Sequence, residues 1–130
     1  MIADQITFDP TSRPWQGLWV VAEQRHGQLL EVSLEILGEA RKLAIRLGAE
    51  VSALLLGHGV GAQAGELIAY GADRVYLAED PVLEHYSPDA YGTTIAELVL
   101  ARRPQILLLG ATSIGRDLAP TVAARLNTGL

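Results

Sequence analysis

Leu107-Leu108-Leu109-Gly110-Ala111-Thr112-Ser113-Ile114-Gly115-Arg116-Asp117-Leu118-Ala119-Pro120 is the stretch that decides how this chain is read. An apolar run ends in Gly110, and Gly115 follows after four residues. A P-loop, G-x-x-x-x-G-K-[ST], has this glycine spacing, with a lysine for the terminal phosphates and a hydroxyl for magnesium. Arg116 stands in the lysine position and Asp117 in the hydroxyl position, so the motif fails at two of its four defining places. Asp117 would also set a negative charge beside the anion. Only 13 residues follow Asp117, too few for the strand that supplies the metal-binding acid. Nucleotide hydrolysis is therefore disfavoured.

The same residues come close to a G-x-S-x-G nucleophile turn, with Ala111 in the first glycine position and Ser113 as nucleophile. That motif needs its acid and histidine after the serine. The last histidine, His85, lies before it. What remains is a plain physical reading. Gly110 and Gly115 let backbone approach something closely. The free N–H groups of a helix start favour an anion or another acceptor, unless Asp117 takes them up as an N-cap. A structural role and a binding role are both open at this point. The helix is expected to start near Arg116 or Asp117 and run to Leu126, because Pro120 fits only in a first turn, where N–H groups lack partners.

Working outward, Gly17 to Glu23 reads as a first strand, with a turn around Gly27. Leu29 to Leu47 reads as a helix whose apolar face is Val32, Ile36, Ala40, Leu43 and Leu47, ended by Gly48. Its acidic early and basic late residues suit the helix dipole and a solvated face. Val51 to Leu56 is a second strand ending at Gly57. A short helix from Ala62 to Tyr70, packing by Ala64, Leu67 and Ile68, stops at Gly71. Arg74 to Ala78 is a third strand, and Glu79 to Tyr86 an acidic loop. Ser87-Pro88-Asp89 is a strong helix start. That helix carries Tyr91, Ile95, Leu98 and Val99 inward and ends at Arg102-Arg103-Pro104. Gln105 to Leu109 is a fourth strand.

Strand alternating with helix four times predicts an α/β fold, a Rossmann-like parallel sheet of at least four strands with helices on both faces. Such sheets bind ligands at the carboxyl ends of their strands, at a topological switch point. Gly110 to Arg116 falls on that edge, as do Glu23 to Gly27, Gly57 to Gly61 and Glu79-Asp80.

The chain has 130 residues, enough for one domain. It is 49% hydrophobic with a net charge of −5. Its apolar runs are too short for a membrane helix. Met1 to Gln16 has no signal-peptide pattern and reads as an extended or disordered arm. The chain has no cysteine, so there is no disulfide framework, and a cytoplasmic location is expected. Nine arginines and one lysine are spread without a basic stripe, which disfavours nucleic acid. His26, His58 and His85 lie far apart in predicted loops with no metal-ligand spacing and read as surface residues. Glu79-Asp80 reads as a solvated loop.

Several stretches, in order, resemble the electron-transfer flavoprotein alpha subunit, the FixB family. They are Leu37-Gly38-Glu39-Ala40-Arg41-Lys42-Leu43-Ala44 running on to Leu47-Gly48-Ala49-Glu50-Val51, then Tyr70-Gly71-Ala72-Asp73-Arg74-Val75-Tyr76, then Tyr86-Ser87-Pro88-Asp89-Ala90-Tyr91. The most specific are Leu108-Leu109-Gly110-Ala111-Thr112, Gly115-Arg116-Asp117-Leu118-Ala119-Pro120, Val122-Ala123-Ala124-Arg125-Leu126 and Thr128-Gly129-Leu130. The resemblance covers Trp15 to the end and is to the family's N-terminal domain.

It implies residues 1–16 as an added arm and 17–130 as the α/β domain. It also implies a heterodimer with a beta subunit. FAD would be held mainly by a second alpha domain that is absent here. Electrons would pass from dehydrogenases to a quinone oxidoreductase or another acceptor, and some family members bifurcate electrons from NADH. On this reading the chain is a fragment of an electron carrier, not an enzyme, with no flavin expected on the fragment alone. Its sequence stops at Leu130, inside the family's motif. Thr121 stands where the family more often has arginine. The site candidates are Gly110, Thr112, Gly115, Arg116 and Asp117, as polar contacts to a partner subunit or to a nucleotide in the crevice. No catalytic or metal residue is expected. The rival reading is a stand-alone adenine-nucleotide module of the universal-stress type.

Overall fold

The computed structural model describes residues 15–128; the arm before Trp15 and the last two residues lie outside the described residues. In chain order the elements are β1 (Leu18–Ala22), β2 (Gln24–Arg25), β3 (Gln28–Leu29), α1 (Glu31–Leu47), β4 (Val51–Gly57), α2 (Ala64–Ala69), β5 (Arg74–Glu79), α3 (Pro88–Arg102), β6 (Ile106–Leu108) and α4 (Ser113–Leu126). The main sheet runs β5-β4-β1-β6 with every pairing parallel. Leu18 faces Val51 on one side and Ile106 on the other. The chain first builds outward from β1 through β4 to β5, then returns past β1 to lay down β6. The order reverses between β1 and β6, so the crevice beyond their carboxyl ends is the switch point.

Strand periodicity explains the two cores. Leu18, Val20 and Ala22 of β1 join Val51, Ala53 and Leu55 of β4 on one face, against Leu37, Ala40 and Ala44 of α1 and Leu67 of α2. Trp19 and Val21 join Leu54 and Leu56 on the other, against Ile95 and Val99 of α3 and Leu118 and Val122 of α4. A strand covered on both faces must be apolar at every position, which is why β1 and β4 are buried throughout. This layering also places the excess hydrophobicity of the composition.

Several boundaries depart from the sequence reading. The face that α1 buries is Ser33, Leu37, Ala40 and Ala44; Leu47 is exposed. Small residues at 33, 40 and 44 let the helix lie close to the sheet, so Val32, Ile36 and Leu43 become flanks. Ile68 is exposed and Leu67 alone anchors α2. The turn around Gly27 is a two-residue hairpin joining β2 to β3. His26 and Gly27 both take positive φ, 53° and 78°, as the tight hairpin turn requires.

The largest correction is at α4. It begins at Ser113, not near Arg116, and Pro120 lies inside it. Thr112 is the N-cap: its side chain accepts the Gly115 N–H, and its carbonyl accepts the Arg116 N–H at 2.9 Å. Asp117 therefore does not cap the helix. Pro120 removes the N–H that the Arg116 carbonyl would bond; both residues are exposed, which leaves water access. The next carbonyl, of Asp117, also accepts the Thr121 hydroxyl at 3.0 Å.

Candidate functional site at the switch point

Glu23 follows β1 and is 8% exposed. Its backbone is fixed from two sides, with its N–H donated to Ser33 Oγ at 2.8 Å and its carbonyl accepting the Leu30 N–H. Its carboxylate is met by the Thr112 hydroxyl, 2.8 Å from each oxygen. Thr112 thus works twice, accepting from α4 and donating to Glu23. The carboxylate reaches the positive end of α4 through that hydroxyl, a favourable arrangement for a buried negative group.

The glycines of this loop serve the chain itself. A Cβ at Gly115 would run into the Gly110 carbonyl oxygen, and a Cβ at Gly110 would lie 3.0 Å from a Glu23 carboxylate oxygen. The loop closes on Gly115 and wraps Glu23. This geometry also settles the P-loop comparison physically. The Gly115 and Arg116 N–H groups are taken by Thr112, and a carboxylate stands beside the helix start where a phosphate would go.

Arg116 and Asp117 point to a different environment. Both are exposed. Asp117 accepts the Tyr86 hydroxyl at 2.6 Å, tying the loop before α3 to the first turns of α4. Burial, and then Asp117, push the Tyr86 phenol well above the ordinary tyrosine range, so Tyr86 stays a donor. Arg116 makes no ion pair among the described residues, in contrast to Arg41, Arg74 and Arg125, which pair with Asp73, Glu50 and Asp89. The fold therefore brings Gly110, Thr112 and Gly115 together around Glu23 and leaves Arg116 and Asp117 at the surface next to them.

Sequence reasoning missed Glu23 and Tyr86. The signal for Glu23 was a lone carboxylate directly after an unbroken buried strand. It also misread Glu79, which ends β5 and accepts the Val60 and Gly61 N–H groups, both at 2.8 Å. Asp80 caps the turn Pro81–Leu83 through the Val82 N–H. Both acids hold backbone and are not a solvated pair. The three histidines are exposed, as expected.

Residues 18–130 match the electron transfer flavoprotein domain. The chain belongs to the electron transfer flavoprotein family. It is 50% identical over 116 residues to an electron transfer flavoprotein subunit alpha of Clostridium acetobutylicum, covering 89% of this chain and 34% of that protein. It is 46% identical over 120 residues to protein FixB of Rhizobium meliloti, again 89% of this chain and 34% of that protein. A lactate dehydrogenase (NAD(+),ferredoxin) subunit LctC of Acetobacterium woodii is 39% identical over 116 residues, 89% of this chain and 28% of that protein. The chain thus spans about a third of the length of these flavoprotein relatives. Among solved structures, a universal stress protein of Archaeoglobus fulgidus superposes with a TM-score of 0.52 at 14% identity, over 82% of this chain and 92% of that one. That likeness shows the α/β fold alone, and the flavoprotein match, far stronger in sequence, is favoured over the universal-stress reading. Among the described residues no helix is long and apolar enough to cross a membrane.

Proposed function

We propose that this chain is the scaffold and subunit-interface domain of an electron-transfer flavoprotein alpha subunit. The observation that carries the reading is the family match across residues 18–130, with half the residues identical to a subunit named alpha. In the whole protein a beta subunit completes a heterodimer. FAD sits mainly on a further alpha domain, and electrons pass from dehydrogenases to a quinone oxidoreductase or another acceptor. The domain carries no chemistry of its own and acts as an electron-carrier component.

On this reading the switch-point loop is a contact surface. Glu23, Thr112, Gly110 and Gly115 hold its shape, and Arg116 and Asp117 present charges to a partner subunit or to a nucleotide near it. The open edge of β6 has a role as well. A groove of about 720 Å³ beside it, lined by Trp15, Leu107, Leu109, Val122 and Leu126, has room for a further parallel strand such as the rest of a longer subunit would supply.

The test is assembly. The alpha subunit with Arg116→Ala is mixed with beta subunit, and affinity and flavin content are measured. A drop in affinity of about tenfold, roughly 1.4 kcal/mol, is expected for loss of a paired interfacial charge. Unchanged affinity and flavin content would remove Arg116 from the interface.

A further inference from the structure

All three histidines of the chain, far apart in sequence, line one crevice. His26 comes from the β2–β3 turn, His58 from the loop after β4, and His85 from the loop before α3. Arg25 joins them. The crevice is about 430 Å³, within the range of small-molecule pockets, and sits at the carboxyl edge of the sheet. Its apolar part is formed by Val21, Leu56 and Leu118, with the rings of Tyr86 and Tyr91.

The donors on its rim are unspent. Among the described residues the side chains of Arg25, His26, His58 and His85 make no hydrogen bond or ion pair, while Arg41, Arg74 and Arg125 are engaged in ion pairs. The scaffold beneath them is fixed instead by Gln24, which accepts the Gly27 N–H and donates to the Leu56 carbonyl. Two carboxylates face the same space. Glu23 is occupied by Thr112, and Glu84 is exposed.

From this convergence of nitrogen donors over an apolar floor, we infer that the crevice binds a small phosphomonoester with a planar or apolar body. The phosphate would take the Arg25 guanidinium and the imidazoles, which match its acceptor oxygens. The body would lie on the tyrosines and leucines. Tyr86 and Tyr91, both held above the ordinary tyrosine range by burial, stay neutral. This inference goes beyond the flavoprotein role and does not depend on it.

Phenyl phosphate, phenol and inorganic phosphate are titrated into the 130-residue chain at pH 7, followed by amide NMR shifts. Phenyl phosphate is expected to shift the Gly27, Gly59 and His85 amides. Inorganic phosphate should bind more weakly at the same amides. The combined variant Arg25→Gln/His58→Gln/His85→Gln should lose at least tenfold in affinity while keeping its urea midpoint, since all three side chains are exposed. No shift with millimolar phenyl phosphate, equal binding by phenol, or equal binding by a folded variant overturns the inference.

Discussion

The Thr112 hydroxyl lies 2.8 Å from the Glu23 carboxylate, joining two residues 89 positions apart across the switch point of the sheet. One side chain caps α4 and satisfies a buried acid, so the loop shape and the helix start are set by a single contact. Replacing Thr112 with Ala removes the cap, costing about 1 kcal/mol. It also leaves the carboxylate without a donor among the described residues, costing roughly 1–3 kcal/mol more. Urea unfolding of Thr112→Ala, Glu23→Ala and the double variant should show a coupling above about 0.5 kcal/mol. Simple additivity would show that the contact contributes nothing.

Glycine at 115 is required by contact, not by backbone conformation. An added methyl would meet the Gly110 carbonyl, a backbone group that cannot swing aside as the end of a flexible side chain would. Gly115→Ala is expected to cost about 3 kcal/mol or more in urea unfolding. Gly65→Ala is the control, since a Cβ there in α2 meets nothing within 4 Å. That variant should be neutral or gain up to roughly 1 kcal/mol.

Acid sensitivity should trace in part to Asp73. Its carboxyl is held below the ordinary value of 3.8, first by the Val51 N–H and then by Arg41, with burial opposing. A carboxyl lowered on folding contributes stability above its unfolded value, and that contribution is lost as pH falls through the folded one. Between pH 5 and pH 2 the parent chain should lose stability more steeply than Asp73→Asn. Parallel slopes in urea-midpoint measurements would remove Asp73 from the acid limb.

Tyr86 should contribute to the alkaline limb with the opposite sign. Its phenol is raised from 10.0 by burial and by Asp117. A group raised on folding contributes stability below its unfolded value and loses it as pH rises through the folded one. The parent should therefore lose stability above pH 10 more steeply than Tyr86→Phe. Ultraviolet titration should find that one late-ionising phenol is missing in the variant. Identical titration curves would contradict the burial of Tyr86 against Asp117.

The sequence by itself determined the α/β class, the strand positions, the Gly48 and Ser87 helix ends and the family resemblance that the comparisons bear out. It did so because these rest on local patterns: unbroken apolar runs for strands covered on both faces, and cap residues whose conformation is set by their immediate neighbours. It did not determine the start of α4. Pro120 argued locally for a late start, and the long-range fit of Gly115 on Gly110, with Thr112 on Glu23, outweighed it. The buried face of α1 moved for a similar reason, since close approach to the sheet favoured Ser33, Ala40 and Ala44 over larger neighbours. Only the tertiary structure put Glu23 under the stretch from Leu107 to Pro120 and gathered His26, His58 and His85 at one crevice. Parallel strands send their loops to a common edge whatever their distance in sequence, and no local pattern records which loops will meet there.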